Sequence, residues 1–448
     1  MTTKAQSFAM RQMAISSLGA SPDRDCFIHV PLVRRGTVHS LALALVWVTL
    51  ATSGLVVAEP APVDLLLMGL VVLLPLIGLA TITPGIAGYL GLWLASAGAG
   101  FFASIFAADA GRAALHTGVS LYLSLASAVL ACFVTRTPET HTRLILDGYL
   151  TAALVATTAA IAGYFDIVAG TAELFTKFGR AAGTFKDPNV FGAFLVAPVI
   201  YCLHLIITRP LHRAALPILA ATILTLGVLV SFSRGAWINL ALAVCVYGCL
   251  AILTAGTRAA RCRIAGLAGS VILIGATVAF MAMQVDKVAD LIEARATLSQ
   301  SYDVGPEGRF GGQQKALRLV AENPLGIGAQ DFAQSYHHEE VHNVYLGMAL
   351  NAGWLGGGLF LILNALTLVV GFTAITSNSH ASRRPLLIVA YAAFAATAFE
   401  GIIIDSDHWR HLYIEMALVW GLAHAAGGGE TSSGAYRAHA VGREILHP

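Results

Sequence analysis

AALPILAATILTLGVLVSFSRGAWINLALAVCVYGCLAILTA, residues 214–255, decides the class of this protein. Two apolar runs, 214–232 and 236–255, flank a turn of a few residues that holds the segment's one charge, Arg234. Each run is close to the ~20 apolar residues that an α-helix needs to cross a hydrocarbon core of about 30 Å. Runs of similar length recur at 38–58, 62–82, 85–107, 113–134, 145–168, 188–208, 264–283, 341–375, 384–404 and 411–426. Of the 448 residues, 57% are hydrophobic and 12% charged, against roughly 25% charged in a soluble domain. The runs show no alternation of period two, which excludes a β-barrel. Helices remain, because lipid offers backbone groups no partners. The expected fold class is therefore all-α, a polytopic integral membrane protein with about twelve transmembrane helices. The run at 341–375 contains Gly353, Gly356, Gly357 and Gly358, and is expected to be an interfacial helix followed by the span proper.

The distribution of Lys and Arg sets the orientation. With a cytoplasmic N-terminus and twelve spans, sixteen of the 27 basic residues fall on the cytoplasmic side, as the positive-inside rule requires. They include Arg136, Arg143, Arg209, Arg213, Arg258, Arg261 and Arg263. The expected organisation is a cytoplasmic tail at 1–37, a transmembrane domain at 38–426 with a large extracytoplasmic loop at 284–340, and a flexible cytoplasmic tail at 427–448. The first 37 residues have no apolar core and nothing like a cleavage site follows the first run, so the first span is expected to be its own insertion signal. Cys26 and Cys262 fall on the cytoplasmic side and Cys132, Cys202, Cys245 and Cys249 within or at the ends of spans, so no disulfide framework is implied. A net charge of +2 makes no case for a nucleic-acid partner.

Three external segments break the low-charge pattern. The first ends in the stretch Phe178 to Asn189, with Arg180 and Lys186; the second is the turn at Arg234; the third is the loop 284–340, with Arg309 and a closing His337-His338-Glu339-Glu340-Val341-His342-Asn343. Arginine at a short external turn opposes the orientation signal and tends to face a water-filled cavity; a snorkelling side chain that anchors the helix end is the alternative. Arg180 and Lys186 lie on a loop able to expose them to water. Arginine offers a planar fork of donors that matches phosphate oxygens and keeps its charge. Several of them on one face therefore point to an anionic headgroup or a pyrophosphate. His342 is the candidate proton acceptor, with Glu339 and Glu340 placed to orient its ring.

Two metal readings can be weighed: His338 with His342 on one helix face, and the pair in Asp405-Ser406-Asp407-His408-Trp409-Arg410-His411. Enzymes that use such an acidic pair draw on cytoplasmic sugar nucleotides, whereas this pair is external, so no metal is expected. The stretch is read instead as the mouth of the same cavity, with Arg410 as one more cation. A transporter would also suit twelve helices, but no internal repeat is visible and polar residues within spans are few (Asn239, Asn364 and Glu400).

At these positions the sequence resembles the O-antigen ligase and O-antigen polymerase superfamily of bacterial membrane glycosyltransferases. The resemblance rests on Gly183-Thr184-Phe185 with Asp187-Pro188-Asn189-Val190-Phe191-Gly192, on Ser231-Phe232-Ser233-Arg234-Gly235-Ala236-Trp237, on Asn323-Pro324-Leu325-Gly326-Ile327-Gly328, and on His342-Asn343 followed by Gly353 and Gly356. It implies a bundle of the metal-independent lipid-linked glycosyltransferase type in the inner membrane, with both termini cytoplasmic and the active site facing the periplasm. The implied donor is a glycan on undecaprenyl pyrophosphate; the acceptor is a hydroxyl on lipid A core or on another glycan. Arg234 and Arg309, with Arg180, would hold the pyrophosphate, Lys186, Asn343 and Arg410 would contact substrate, and His342 would take the acceptor proton in one inverting displacement. No cofactor is implied. Ligase, polymerase and protein-glycosylating branches share these motifs, so the acceptor stays open.

Replacing Arg234 or Arg309 by alanine is expected to abolish glycan transfer while leaving membrane insertion intact, and His342→Ala to be comparably damaging. Near-wild-type transfer by both arginine variants would rule out the phosphate clamp.

Overall fold

A computed structural model describes residues 35–266, 269, 277, 280, 284, 305–377 and 381–425. Most of the expected tail at 1–37, most of the run 264–283, most of the first part of the long loop and the tail from 426 lie outside the described residues. Residues up to Ala42 form one unit, and Leu43 onward forms another that holds every group of the site described below.

The helices are α1 (Arg35–Ala51), α2 (Pro62–Leu76), α3 (Pro84–Ala103), α4 (Ala110–Arg136), α5 (Pro138–Tyr164), α6 (Thr171–Phe175), α7 (Pro188–Phe194), α8 (Val196–Thr208), α9 (Ala215–Val230), α10 (Arg234–Thr254), α11 (Arg309–Glu322), α12 (Val344–Thr376), α13 (Arg384–Glu400) and α14 (Arg410–His424). Every expected apolar run other than 264–283 is thus helical, and the chain is an all-α membrane protein. Among the described residues, six helical stretches are long and apolar enough to cross a bilayer: Pro84–Phe106, Ala110–Arg136, Pro138–Tyr164, Pro188–Thr208, Arg234–Thr254 and Val344–Thr376.

The other helices are shorter than their apolar runs, for local reasons. α2 contains Pro75 and gives way to Gly78 at φ 72°, so Leu79 to Ile82 continue the apolar run without continuing the helix. After α13 the chain turns back, and the carbonyls of Gly401 and Ile404 both accept from Val344 N, at 2.8 and 3.2 Å. Helix starts follow the chemistry of their first residues. Proline opens α2, α3, α5 and α7, where its missing N–H costs nothing. Asp109, Ser233 and Asn343 cap α4, α10 and α12 with side-chain oxygens that accept backbone N–H groups.

Aromatic side chains tie α3, α4, α12 and α14 together. Tyr89 stacks on Trp420 at 4.8 Å and Trp93 on Tyr413 at 5.2 Å between ring centroids. Ser127 Oγ donates to Tyr413 O at 2.7 Å, so its lone pair receives the Tyr89 hydroxyl, also at 2.7 Å. Trp420 Nε1 donates to Thr367 Oγ1 at 2.8 Å. These polar handles of large buried rings find partners, as burial demands.

The expected division of the run 341–375 has a definite form. Gly353 inside α12 adopts φ 68°, ψ −176°, a conformation that essentially only glycine tolerates. The break detaches the N–H of Trp354 from the carbonyl of Leu350, its normal helical acceptor. Both groups are taken by the loop that follows α11: Trp354 N donates to Pro324 O at 2.9 Å, and Ile327 N donates to Leu350 O at 2.8 Å. A side chain on Gly353 would put its Cβ 2.7 Å from Pro324 O, and one on Gly326 would put it 2.6 Å from Gly353 N. The Asn-Pro-Leu-Gly-Ile-Gly element and the glycine of the histidine motif are therefore the two halves of one backbone-to-backbone contact.

The segment 176–181, expected as open loop, is a short antiparallel pair, Thr176–Lys177 with Arg180–Ala181. Its turn, Phe178 and Gly179, has φ of 54° and 70°, the sign a two-residue hairpin turn requires at both positions.

Gly353→Ala is expected to destabilise the protein by more than about 3 kcal/mol, combining backbone strain with a clash that neither backbone can relieve. The check is thermal unfolding in detergent, where an unchanged midpoint would contradict this account of the break.

Candidate functional site

His342 lies one residue ahead of the cap of α12, in the left-handed region at φ 53°, which is uncommon for a residue with a side chain. Asp405 holds it there. Oδ2 of Asp405 accepts from His342 N at 2.8 Å, and Oδ1 accepts from Asn343 N at 3.1 Å. Gln313 Nε2 donates to His342 O at 3.0 Å. The Asn343 side chain is occupied as the helix cap, its Oδ1 accepting from Tyr345 N and Leu346 N at 3.1 Å each. The imidazole itself lies between carboxylates: Nε2 is 3.1 Å from Glu339 Oε2, and Nδ1 is 3.7 Å from Asp405 Oδ2. With 25% of its side chain exposed, His342 remains open to a reactant. Glu339 takes the orienting position expected for it; Glu340 does not, and faces elsewhere.

Glu340 lines a cavity of about 70 Å³ beside the start of α12, with His116, Gln330, Asn351, Asp405 and Asp407. His116, from α4, bonds Asp407 Oδ2 through Nε2 at 2.9 Å, while Gln330 Nε2 lies 3.3 Å from its Nδ1. The His408 ring stacks on it at 3.9 Å and bonds Ser120 at 2.9 Å. Three carboxyls so close do not share charge equally. Burial pushes Glu340 up to about 7, and the neighbouring Asp405 and Asp407 add to the rise. Asp405 is likewise raised, by burial first and then by Asp407. Asp407 keeps its charge below the usual carboxylate range: burial opposes this, and contacts with His408 and His116 outweigh it. His408 is itself lowered to about 4 by burial, so near neutral pH the hydrogen bond from His116 carries the effect.

The expected cations occupy different places. Arg234 is the first residue of α10 and Arg309 the first of α11, one turn ahead of Gln313, and both are half-buried. A guanidinium at a helix N-terminus adds to the positive end of the helix dipole, so both positions favour an anion. Arg234 is connected to the His342 region through α13. Gly235 packs so closely on Glu400 that an added Cβ would lie 2.5 Å from its Oε1, and Asn239 Nδ2 donates to Glu400 Oε2 at 2.6 Å. The next residue, Gly401, is the one whose carbonyl receives Val344 N.

Arg180 is buried, not displayed on a loop: Nε donates to Ser231 O at 2.8 Å and Nη2 to Asn189 Oδ1 at 2.7 Å. The hairpin explains this, since it folds the residue back onto the turn that precedes Arg234. Lys186 is more exposed and pairs with Glu59 at 3.2 Å. Arg410 is held by a fork on Asp64, Nε to Oδ1 and Nη2 to Oδ2, both at 2.7 Å, with Glu59 at 3.8 Å. It closes the end of α14 onto α2. Asp64 also accepts from Ala61 N at 2.7 Å. His338 and His342 do not share a helix face, because α12 begins only at Val344.

His116 carries no signal in the sequence, where it is a single histidine in an apolar helix whose partners Asp407 and Gln330 lie 291 and 214 residues away. Asp405 is visible there only as half of an acidic pair; its role as the clamp on two backbone N–H groups is a product of the fold.

The arrangement sets an imidazole between carboxylates and places two arginines at helix starts. Residues 218–361 match the O-antigen ligase family model, Wzy_C, so this segment of the chain is similar to that family. The matched segment contains Arg234, Arg309, His342 and Asn343, whereas Arg180, Lys186 and Arg410 fall outside it. No curated protein matches the chain.

Glu340 binds its proton more tightly in the folded protein than in the unfolded chain. Stability from this group is full below 4.5 and is lost as the pH rises through about 7. Glu340→Gln is expected to flatten that decline in melting temperature; an unchanged pH profile would count against it.

Proposed function

We propose that this protein is a membrane glycosyltransferase of the O-antigen ligase kind, moving a glycan from an undecaprenyl-pyrophosphate carrier to an acceptor hydroxyl at the periplasmic face of the inner membrane. The observation that carries the reading is the setting of His342, fixed by Asp405 through the backbone and flanked by Glu339 and Asp405 through the ring. Carboxylates beside both ring nitrogens fix the orientation of the imidazole, the support a general base needs. The acceptor hydroxyl attacks the anomeric carbon, its proton passes to His342, and the bond from that carbon to the pyrophosphate oxygen breaks. Undecaprenyl pyrophosphate leaves, and the anomeric configuration inverts. Arg234 and Arg309, each at a helix N-terminus, offset the charge that develops on the leaving group; stabilising developing charge in this way is usually what accelerates such reactions most. No step is assigned to a metal.

Arg180 is supporting structure in this reading. Its hydrogen bond to Ser231 O sets the turn from which Arg234 projects. Asn343 acts through the backbone as the cap that starts α12. Arg410 positions the loop 401–409 and with it Asp405, through its fork on Asp64. Both termini are assigned to the cytoplasm, on the distribution of basic residues.

The test is transfer in vitro by purified full-length protein in nanodiscs, with an undecaprenyl-pyrophosphate oligosaccharide as donor. Lipid A core and a second donor molecule serve as acceptors in parallel, with and without EDTA. Glycan on lipid A core, persisting in EDTA, is the expected result. A ladder of lengthening donor would make the protein a polymerase. Donor left intact with both acceptors would sink the enzyme reading and favour transport.

A further inference from the structure

A second cluster lies outside the machinery assigned to transfer, where the segment before His342 meets the start of α11. Nδ1 of His337 lies 3.4 Å from Glu307 Oε2, and Nδ1 of His338 lies 3.7 Å from the same oxygen. One potential ligand atom from each of the three residues falls within 4.8 Å of the others. Zinc binds imidazole nitrogen and carboxylate oxygen at about 2.0–2.2 Å in a tetrahedron, whose edges are then about 3.3–3.6 Å. The observed separations are close to such edges, so one ion would need only small adjustments of the two exposed side chains.

The buried member of the trio supplies an independent observation. The His337 side chain is 2% exposed, and among the described residues its Nδ1 finds no well-formed hydrogen bond, only the Glu307 oxygen at 3.4 Å. A buried polar nitrogen left in that state is costly. The ring has little freedom to turn away. It is packed against Gly312, where an added Cβ would lie 2.9 Å from Cδ2 and Nε2, and against Phe332 at 5.7 Å between centroids. The His338 ring crosses it at 62°, with centroids 4.5 Å apart. Nδ1 of His337 is therefore held facing Glu307 by packing, as a preformed ligand position is held.

We propose that His337, His338 and Glu307 form a binding site for one divalent transition-metal ion of the zinc type. Two imidazoles and one carboxylate suit a borderline-soft ion better than magnesium or calcium, which take oxygen ligands. The ion would tie Glu307, two residues before Arg309, to the segment that leads into His342. It would thus fix the start of α11 relative to the stretch of chain that carries Glu339. The site stands on its own geometry and does not depend on the glycosyltransferase reading.

The experiment is titration of chelator-stripped, full-length protein in detergent with Zn²⁺ by calorimetry, and with Co²⁺ read by its visible absorption. Wild type should bind one equivalent tightly, with a rise in melting temperature through linkage. His338→Ala and Glu307→Gln alter exposed side chains and leave the packing of His337 against Gly312 and Phe332 in place; each should weaken binding at least about tenfold, the lower end of the loss seen when even outer-shell partners of a metal are removed. Absence of binding to wild type would overturn the proposal. So would equal affinity in wild type and both variants, or binding that survives in them and is lost in His116→Ala, which would move the ion to the cluster of His116, Asp407 and His408.

Discussion

The backbone contact between Gly326 and Gly353 is the constraint on which the site depends. A helix that breaks within a membrane domain leaves a donor and an acceptor without partners, and lipid cannot replace them. Here the loop after α11 supplies both, through Pro324 O and Ile327 N. This satisfies the break and also docks α11 against the first part of α12, so that Gln313 reaches the carbonyl of His342. Without the break, α12 would run straight through, and the residues before it would have no fixed relation to Arg309. Two motifs separated in the chain are therefore one device, whose requirement is close backbone approach and hence glycine on both sides.

Asp405 plays a comparable part on the other side of His342. One carboxylate receives two consecutive backbone N–H groups and also sits 3.7 Å from the imidazole. Its own loop is held by the fork between Arg410 and Asp64. The charges of the region are consequently sorted in space. Carboxyls gather at the cavity beside α12, and Arg234 and Arg309 stand at the starts of α10 and α11. Sorting of this kind joins a candidate proton acceptor to helix ends that favour an anion.

The helical membrane architecture could be read from the apolar runs because that signal is local: a run of ~20 apolar residues has few alternatives in water. Run lengths overstated several helices, since Gly78 and the chain after Glu400 turn without any change in hydropathy. His342, Arg234 and Arg309 stood out as candidates from residue type and place in the chain. The burial of Arg180 was not, because it depends on a two-residue turn that folds a loop back on itself. Nor was the pairing of Arg410, whose partner Asp64 lies 346 residues away.

By itself, the sequence determined the class of the protein, the places of most of its apolar helices and the family likeness of its polar segments, because hydrophobic length and short motifs act within a window of neighbours. Only the tertiary structure decided that Arg180 is buried against Ser231 and Asn189 and that Arg410 is forked on Asp64. It alone brought His116 to Asp407, made Asp405 the clamp on His342, and set His337 and His338 against Glu307. Those contacts join residues far apart in the chain, and their energies depend on burial and on distances of about 3 Å that no local pattern encodes.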